Sequence, residues 1–431
     1  MQSTRIDTIS IMSSAVVLSC LFVIEFGNSA MSTAMGLPFN VALQRIGDRV
    51  YGRDEGGASL IFTKVEIVSS TITFVVSAVF VAMNANTPRT KSRMLMMACI
   101  GQTMEMFALA YMKLFIDTIT STLVYALVVG HSLLGGKFLL ETCISDSVAA
   151  VLPKASKRRR TSVYMWLKSV KLMGVVMVQM IAPRFLDERQ MFYMLTPIAS
   201  AIMLLASILF VIVAQNYTDG SGDYEDDGNV DEKVAMLEKF KHYSRSLTVD
   251  HFVLFAIITT YCAQRGEYKF TFFFLKDHLK FTPANIRLIN GCQYCLFVVS
   301  LFMTGVVMHC EKRPIVTMIA FLMSMSFSTA ARMFQIWAWT ATRLDVWVAS
   351  AVMSTMGPIA QQVLQGVLYK TLDDARLSGL VMLTCDKFLP VPIVWIYNLA
   401  RDSPFYVTLC LMIVTTIGGI STKRMRNWMM K

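Results

Sequence analysis

Apolar stretches of near-bilayer length recur along almost the whole of this 431-residue chain, at 11–37, 65–83, 94–115, 119–143, 163–181, 191–214, 252–275, 286–307, 315–334, 346–368, 377–399 and 405–420. A hydrocarbon layer about 30 Å thick is crossed by about 20 helical residues, so the pattern predicts twelve transmembrane helices. The joints between them are short, except for an acidic one at 215–248 that divides the stretches six and six. The expected architecture is an all-α membrane protein with an N-terminal six-helix bundle over 1–214, an acidic cytosolic linker over 215–248, and a C-terminal six-helix bundle with a basic cytosolic tail over 249–431.

Composition closes off other classes. Hydrophobic residues make up 55% of the chain and charged residues only 16%, and the mean hydropathy is +0.53, which excludes a soluble fold of this length. The net charge of +11 does not signal nucleic acid. Its carriers, such as Arg89, Lys91 and Arg93 or the run Lys157 to Arg160, sit in joints between spans and mark cytosolic faces. Most of the nine cysteines fall inside spans, where packing is the ordinary role of a thiol. Cys292 and Cys295 form a C-x-x-C with no second pair, so neither a disulfide framework nor a metal site is expected. There is no Gly-rich phosphate loop, paired histidine ligands or recognisable nucleophile, so the chain is read as no enzyme, with no cofactor.

Topology follows from the basic joints. They place both termini and the linker in the cytosol. The single sequon, Asn216-Tyr217-Thr218, then lies on the cytosolic side and carries no glycan. The first stretch holds Glu25 and Asn28 and is too long for a signal peptide, so it is read as a retained helix.

Two sets of motifs carry a resemblance. Twelve spans split six and six by a polar linker resemble the major facilitator superfamily, whose halves rock about a central site. Gly135-Gly136-Lys137-Phe138, Ser145-Asp146-Ser147 and Arg160-Thr161-Ser162 around helices four and five are similar to the proton-coupled folate transporter (solute carrier 46) family. So are Phe272-Phe273-Phe274 and Ile396-Tyr397-Asn398. The resemblance implies the major facilitator fold, proton-coupled transport, and a cavity lined by helices one, four, seven and ten. Departures are also present. Lys168 stands where that family has a transport-linked glutamate, helix seven reads Gln264-Arg265-Gly266-Glu267 without its histidine, and the joint 87–93 lacks the superfamily's acid.

Charges inside the spans are the candidate site. A charged side chain at mid-membrane costs roughly 2.5 to 3.5 kcal/mol on insertion scales, so each is expected to face protein or a watery cavity. Glu25 and Glu141 are the expected proton-coupling groups, with Asn28 on the same face as Glu25. Lys171, Arg265, Lys269 and Asn28 are the expected substrate contacts, and an excess of cations on the central helices points to an anionic substrate. Gating is assigned to Lys137, which stands i,i+4 from Glu141, to Asp146 in the resembling segment, and to Asp386 beside Pro390 and Pro392. Each assignment has a bland rival: packing for Glu25 and His131, local neutralisation for Glu141, and interfacial snorkelling for Lys168 and Lys269.

The sequence thus reads as a monomeric secondary-active carrier of a small organic anion, with the proton as coupling ion. The plasma membrane is the expected site, and a lysosomal or vesicular membrane the alternative. A non-transporting receptor or sensor on the same scaffold is the rival function. The topology has a direct check. On a background stripped of native cysteines, Gly56→Cys should react with impermeant thiol reagents in intact cells, whereas Gly222→Cys should react only after permeabilisation; the reverse pattern would invert the assignment.

Overall fold

A computed structural model describes residues 2–52, 57–83, 88–115, 117–151, 157–186, 190–219, 248–264, 267, 271, 275, 279–311, 315–371, 381–382, 384–400 and 404–421. Regular secondary structure among them is entirely helical. In the first half α1 spans Gln2–Tyr51, α2 Gly57–Met83, α3 Pro88–Leu114, α4 Ser121–Ser132, α5 Gly136–Val151, α6 Lys157–Val176 and α7 Thr196–Asp219. In the second half α8 spans Val249–Ala263, α9 Pro283–Cys310, α10 Ile315–Ala341, α11 Leu344–Met353, α12 Gly357–Thr371, α13 Val391–Leu399 and α14 Pro404–Ser421. Among the described residues six segments are long and apolar enough to cross a membrane: Ala15–Gly36, Ser92–Leu114, Arg160–Arg184, Met191–Val213, Ala284–Cys310 and Ile315–Ala341. The linker residues 220–247 lie outside the described residues.

Several helix limits differ from those read in the sequence. The sequence reading ends the first helix at 37, before Pro38, and opens an outer loop at 40. Instead α1 continues to Tyr51, because Ala42, Leu43 and Ile46 recur on one face and are buried. Its end is tied down: the Arg49 guanidinium donates to the carbonyls of Asp117 and Ile119, and Lys64 Nζ donates to Tyr51 Oη at 3.1 Å.

Helix four is two helices. The chain turns at Leu133–Gly135, where Gly135 has φ +76° and its N–H bonds Ser132 O at 3.0 Å. An L side chain is strained in that conformation, so the residue that looked like part of a motif is a helix break. Helix ten is likewise interrupted by a tighter turn at Ser354–Met356, just before Gly357-Pro358. Wider π-helical turns interrupt the helices at Met177–Ile181, Met191–Leu195 and Thr384–Phe388.

One buried apolar cluster joins α1 to α7, and a second joins α8, α9, α10, α12 and α14. The helix α6 belongs to both: Val163, Tyr164 and Leu167 face the first cluster, while Met165, Leu172 and Val175 face the second. It therefore forms the seam, and its contact with α9 is the most extensive in the molecule. Small residues make that seam close. A Cβ on Gly305 would meet Trp166 Nε1 at 2.6 Å, one on Gly291 would meet Met180 Cγ at 2.4 Å, and Ser169 Oγ donates to Val298 O at 3.1 Å. Nearer the predicted cytosolic end, Gln365 Nε2 of α12 donates to Ser145 Oγ of α5 at 3.0 Å, and Gly366 packs on Thr161. On the far flank Phe74 of α2 stacks on Phe388 with ring centroids 4.7 Å apart.

The same device brings α6 onto α1. A Cβ on Gly174 would lie 2.7 Å from Phe26 O and 3.1 Å from Ala30 N, which are rigid backbone atoms. Gly174→Leu is expected to wedge the two helices apart and lower the stability of purified protein by about 1 to 3 kcal/mol. Gly36→Ala, where an added Cβ meets nothing within 4 Å, is the control and should be neutral or slightly stabilising. Thermal unfolding in detergent reads both.

Candidate functional site

The close approach at Gly174 has a chemical consequence one turn earlier on α6. There Lys171 reaches into the first bundle, and its Nζ donates to Glu141 Oε1 of α5 at 2.6 Å. The same ammonium lies 3.2 Å from Glu25 Oε2 of α1, an ion contact in which that oxygen accepts no formed hydrogen bond. Glu25 is buried, with 6% of its surface exposed, and Asn28 one turn on is buried with an unpartnered Oδ1. Three helices thus bring two carboxylates and one ammonium together. With both acids ionised these three described groups together carry one surplus negative charge. Such a site takes up one proton, or admits one cationic group, without leaving a buried charge unpaired.

The sequence singled out all three residues, with Lys137 as a partner for Glu141 along one helix. Among the described residues Glu141 pairs with Lys171 across two helices. The side chains of Lys137 and Asp146 lie outside the described residues, as do Arg265 and Lys269 altogether. Asp386 is half-buried within the π-helical turn at Thr384–Phe388, next to the buried Cys385. His131 is buried on α4, and Gln102 Nε2 donates to Glu105 Oε2 at 2.6 Å within α3.

A second charged cluster went unread. Glu267, just beyond α8, forms a buried ion pair with Arg332 of α10, whose guanidinium also donates to Gln335 Oε1. The hydroxyls of Tyr397 on α13 and Thr408 on α14 are 2.7 Å apart and lie against the same carboxylate. The signal was present: Arg332 is an arginine inside a span read as 315–334, with Gln335 three residues on.

No protein-family model matches the sequence, and no curated protein matches it. Solved structures do resemble the fold. A bacterial homologue of the iron transporter ferroportin in its outward-facing state superposes with a TM-score of 0.64 at 11% identity, over 96% of this chain and 99% of that one. The same homologue facing inward gives 0.62 at 13% identity, over 98% and 99%. The Escherichia coli fucose:proton symporter FucP gives 0.61 at 10% identity, over 95% and 98%. The chain therefore has the major facilitator fold and is a multi-pass integral membrane protein.

The triad makes an unequal mutational series. Lys171→Met strands two carboxylates among apolar neighbours and should cost roughly 3 to 5 kcal/mol. Glu25→Gln leaves one acid against one base and should be near neutral. Adding Glu25→Gln and Glu141→Gln to Lys171→Met should restore much of the loss, and unfolding of the four proteins in detergent checks the order.

Proposed function

We propose that this protein is a secondary-active carrier of small organic anions, driven by protons and working by alternating access between its two halves. The observation that carries the proposal is the ammonium of Lys171 held between Glu25 and Glu141, on three different helices of the first half. An ammonium so engaged has its charge more than balanced by its two counter-ions, which disfavours a substrate anion beside it. Protonation of either carboxylate removes one of its counter-ions, and the released valence suits a carboxylate, sulfate or phosphate group on the substrate. Arg265, Lys269 and Asn28 are proposed as further contacts, with Lys137, Asp146 and Asp386 in gating.

The fold supports transport, since the structural neighbours named above are an iron transporter homologue and a proton symporter. The anionic substrate rests on the chain's own cations. The halves 1–214 and 249–431 are proposed as the rocking bodies, the linker 215–248 as their cytosolic tether, a monomer as the working unit and the plasma membrane as its place.

The test is uptake of labelled monocarboxylates, dicarboxylates, sulfate esters and phosphate esters into proteoliposomes under an imposed inward proton gradient. At least one class should accumulate. Glu25→Gln or Glu141→Gln should abolish net gradient-driven uptake while leaving exchange of labelled for unlabelled anion intact, because exchange needs no proton release. Arg265→Gln should raise the apparent KM by about ten-fold or more, in keeping with roughly 1.5 to 3 kcal/mol for a charge-assisted hydrogen bond. Accumulation of no anion, with pH-independent binding of a small molecule to the purified protein, would favour a receptor on a carrier scaffold.

A further inference from the structure

The second half holds a charged cluster that the triad does not use. Glu267 has 1% of its surface exposed. Its Oε1 accepts from Arg332 Nη1, while its Oε2 has no partner. Arg332 Nε and Gln264 Nε2, both buried, are unpartnered as well. A buried carboxylate with one oxygen held by Arg332, and the other beside the Thr408 hydroxyl without a formed hydrogen bond, sits in an unfinished hydrogen-bonding arrangement.

The groups around it can be named from every side. Helix seven contributes Gln264 and Thr271, the latter donating from Oγ1 to Glu267 O at 3.0 Å. The helix α10 contributes Arg332 and Gln335, α13 contributes Tyr397, and α14 contributes Thr408. Asp386 and Cys385 lie against helix seven near Thr259, about two turns closer to the predicted cytosolic face. Arg332 is thus the one charge that contacts Glu267 among the described residues. The cluster ties helix seven to three neighbours, and the pair is matched one to one.

From this geometry we infer a second proton-binding site in the C-terminal half, at Glu267 Oε2, whose occupancy loosens helix seven from α10. The proton comes from water and forms an O–H bond on the bare oxygen, and no other bond is made or broken. Oε1 then offers Arg332 only the weaker hydrogen bond of a neutral acid. The guanidinium, still cationic, loses the one counter-charge that contacts it among the described residues, in a buried setting, which favours rearrangement of the helix seven–α10 contact. Tyr397, Thr408 and Gln335 are positioning residues that keep the carboxyl in place in either protonation state. The inference rests on the proton-coupled reading for its role in transport, but the protonation itself is read without any substrate.

The experiment is pH-difference infrared spectroscopy on the purified full chain in lipid, with protons as the only ligand. Lowering the pH should raise carboxylic-acid C=O absorption in the wild-type protein, and Glu267→Gln should delete a band distinct from those lost in Glu25→Gln and Glu141→Gln. Spin labels on helix seven and α10 should then show a distance change on acidification that Glu267→Gln removes. If Glu267→Gln does not fold, Glu267→Gln/Arg332→Gln takes both charges from the core and carries the same readout. An unchanged carboxylic-acid spectrum in either variant overturns the site. Loss of the band in a protein that accumulates no anion under a proton gradient would uphold the site and overturn the carrier reading instead.

Discussion

An ammonium buried between two carboxylates constrains everything around it. Lys171 is stable inside the membrane only while Glu25 and Glu141 stay within reach, and they arrive on two other helices. The three helices therefore keep one relative register where these side chains meet. Gly174 makes that register attainable by letting α6 approach α1 until side chains a turn away can meet. The charge cluster and the glycine form one device, since each is costly without the other.

The second bundle solves the same problem by different means. Its ion pair spans helix seven and α10 and is matched one for one, with hydroxyls and an amide from other positions completing the surroundings. Between the bundles the contacts described include glycines on α9 against Trp166 and Met180, the Ser169–Val298 hydrogen bond, and the Gln365–Ser145 bond toward the predicted cytosolic end. Neutral contacts of this kind slide and separate at less cost than buried ion pairs. They suit the rocking of two bodies that the proposed cycle calls for.

Much of this was legible in the residues. Apolar runs gave the all-helical fold, because the bilayer imposes length and backbone satisfaction on any spanning segment. Glu25, Glu141 and Lys171 stood out because a charge amid such a run is rare. That Lys171 joins Glu25 and Glu141 was not legible, since an i,i+4 neighbour is visible along the chain while Lys171 meets these acids only after the helices pack. Arg332 was passed over although its setting matched that of the residues chosen. The interior breaks at Gly135 and before Gly357 also went unread: hydropathy averages over a break of two or three residues, and Gly135 differs from a packing glycine only by its positive φ. The continuation of α1 past Pro38 was missed because proline is a stop signal in sequence, and here the buried face at Ala42, Leu43 and Ile46 outweighs it.

The charge balance of the triad bears on the order of events in the proposed cycle. With both acids ionised the site carries one negative charge in excess. A substrate anion placed about 5 Å from that excess meets a repulsion of roughly 3 kcal/mol at an effective dielectric near 20. By the factor of ten per 1.4 kcal/mol, this weakens binding on the order of a hundred-fold. Adding a proton first cancels the excess and leaves Lys171 with one carboxylate, so an anion entering afterwards meets no net repulsion. The reverse order meets the full penalty. On the proposed cycle the proton therefore precedes the anion from the outer side. On the inner side, departure of the anion removes the group that had replaced the lost carboxylate, which favours proton release to restore Lys171 to both of its partners. Coupling then follows from counting charges around one lysine, without any requirement that proton and substrate touch.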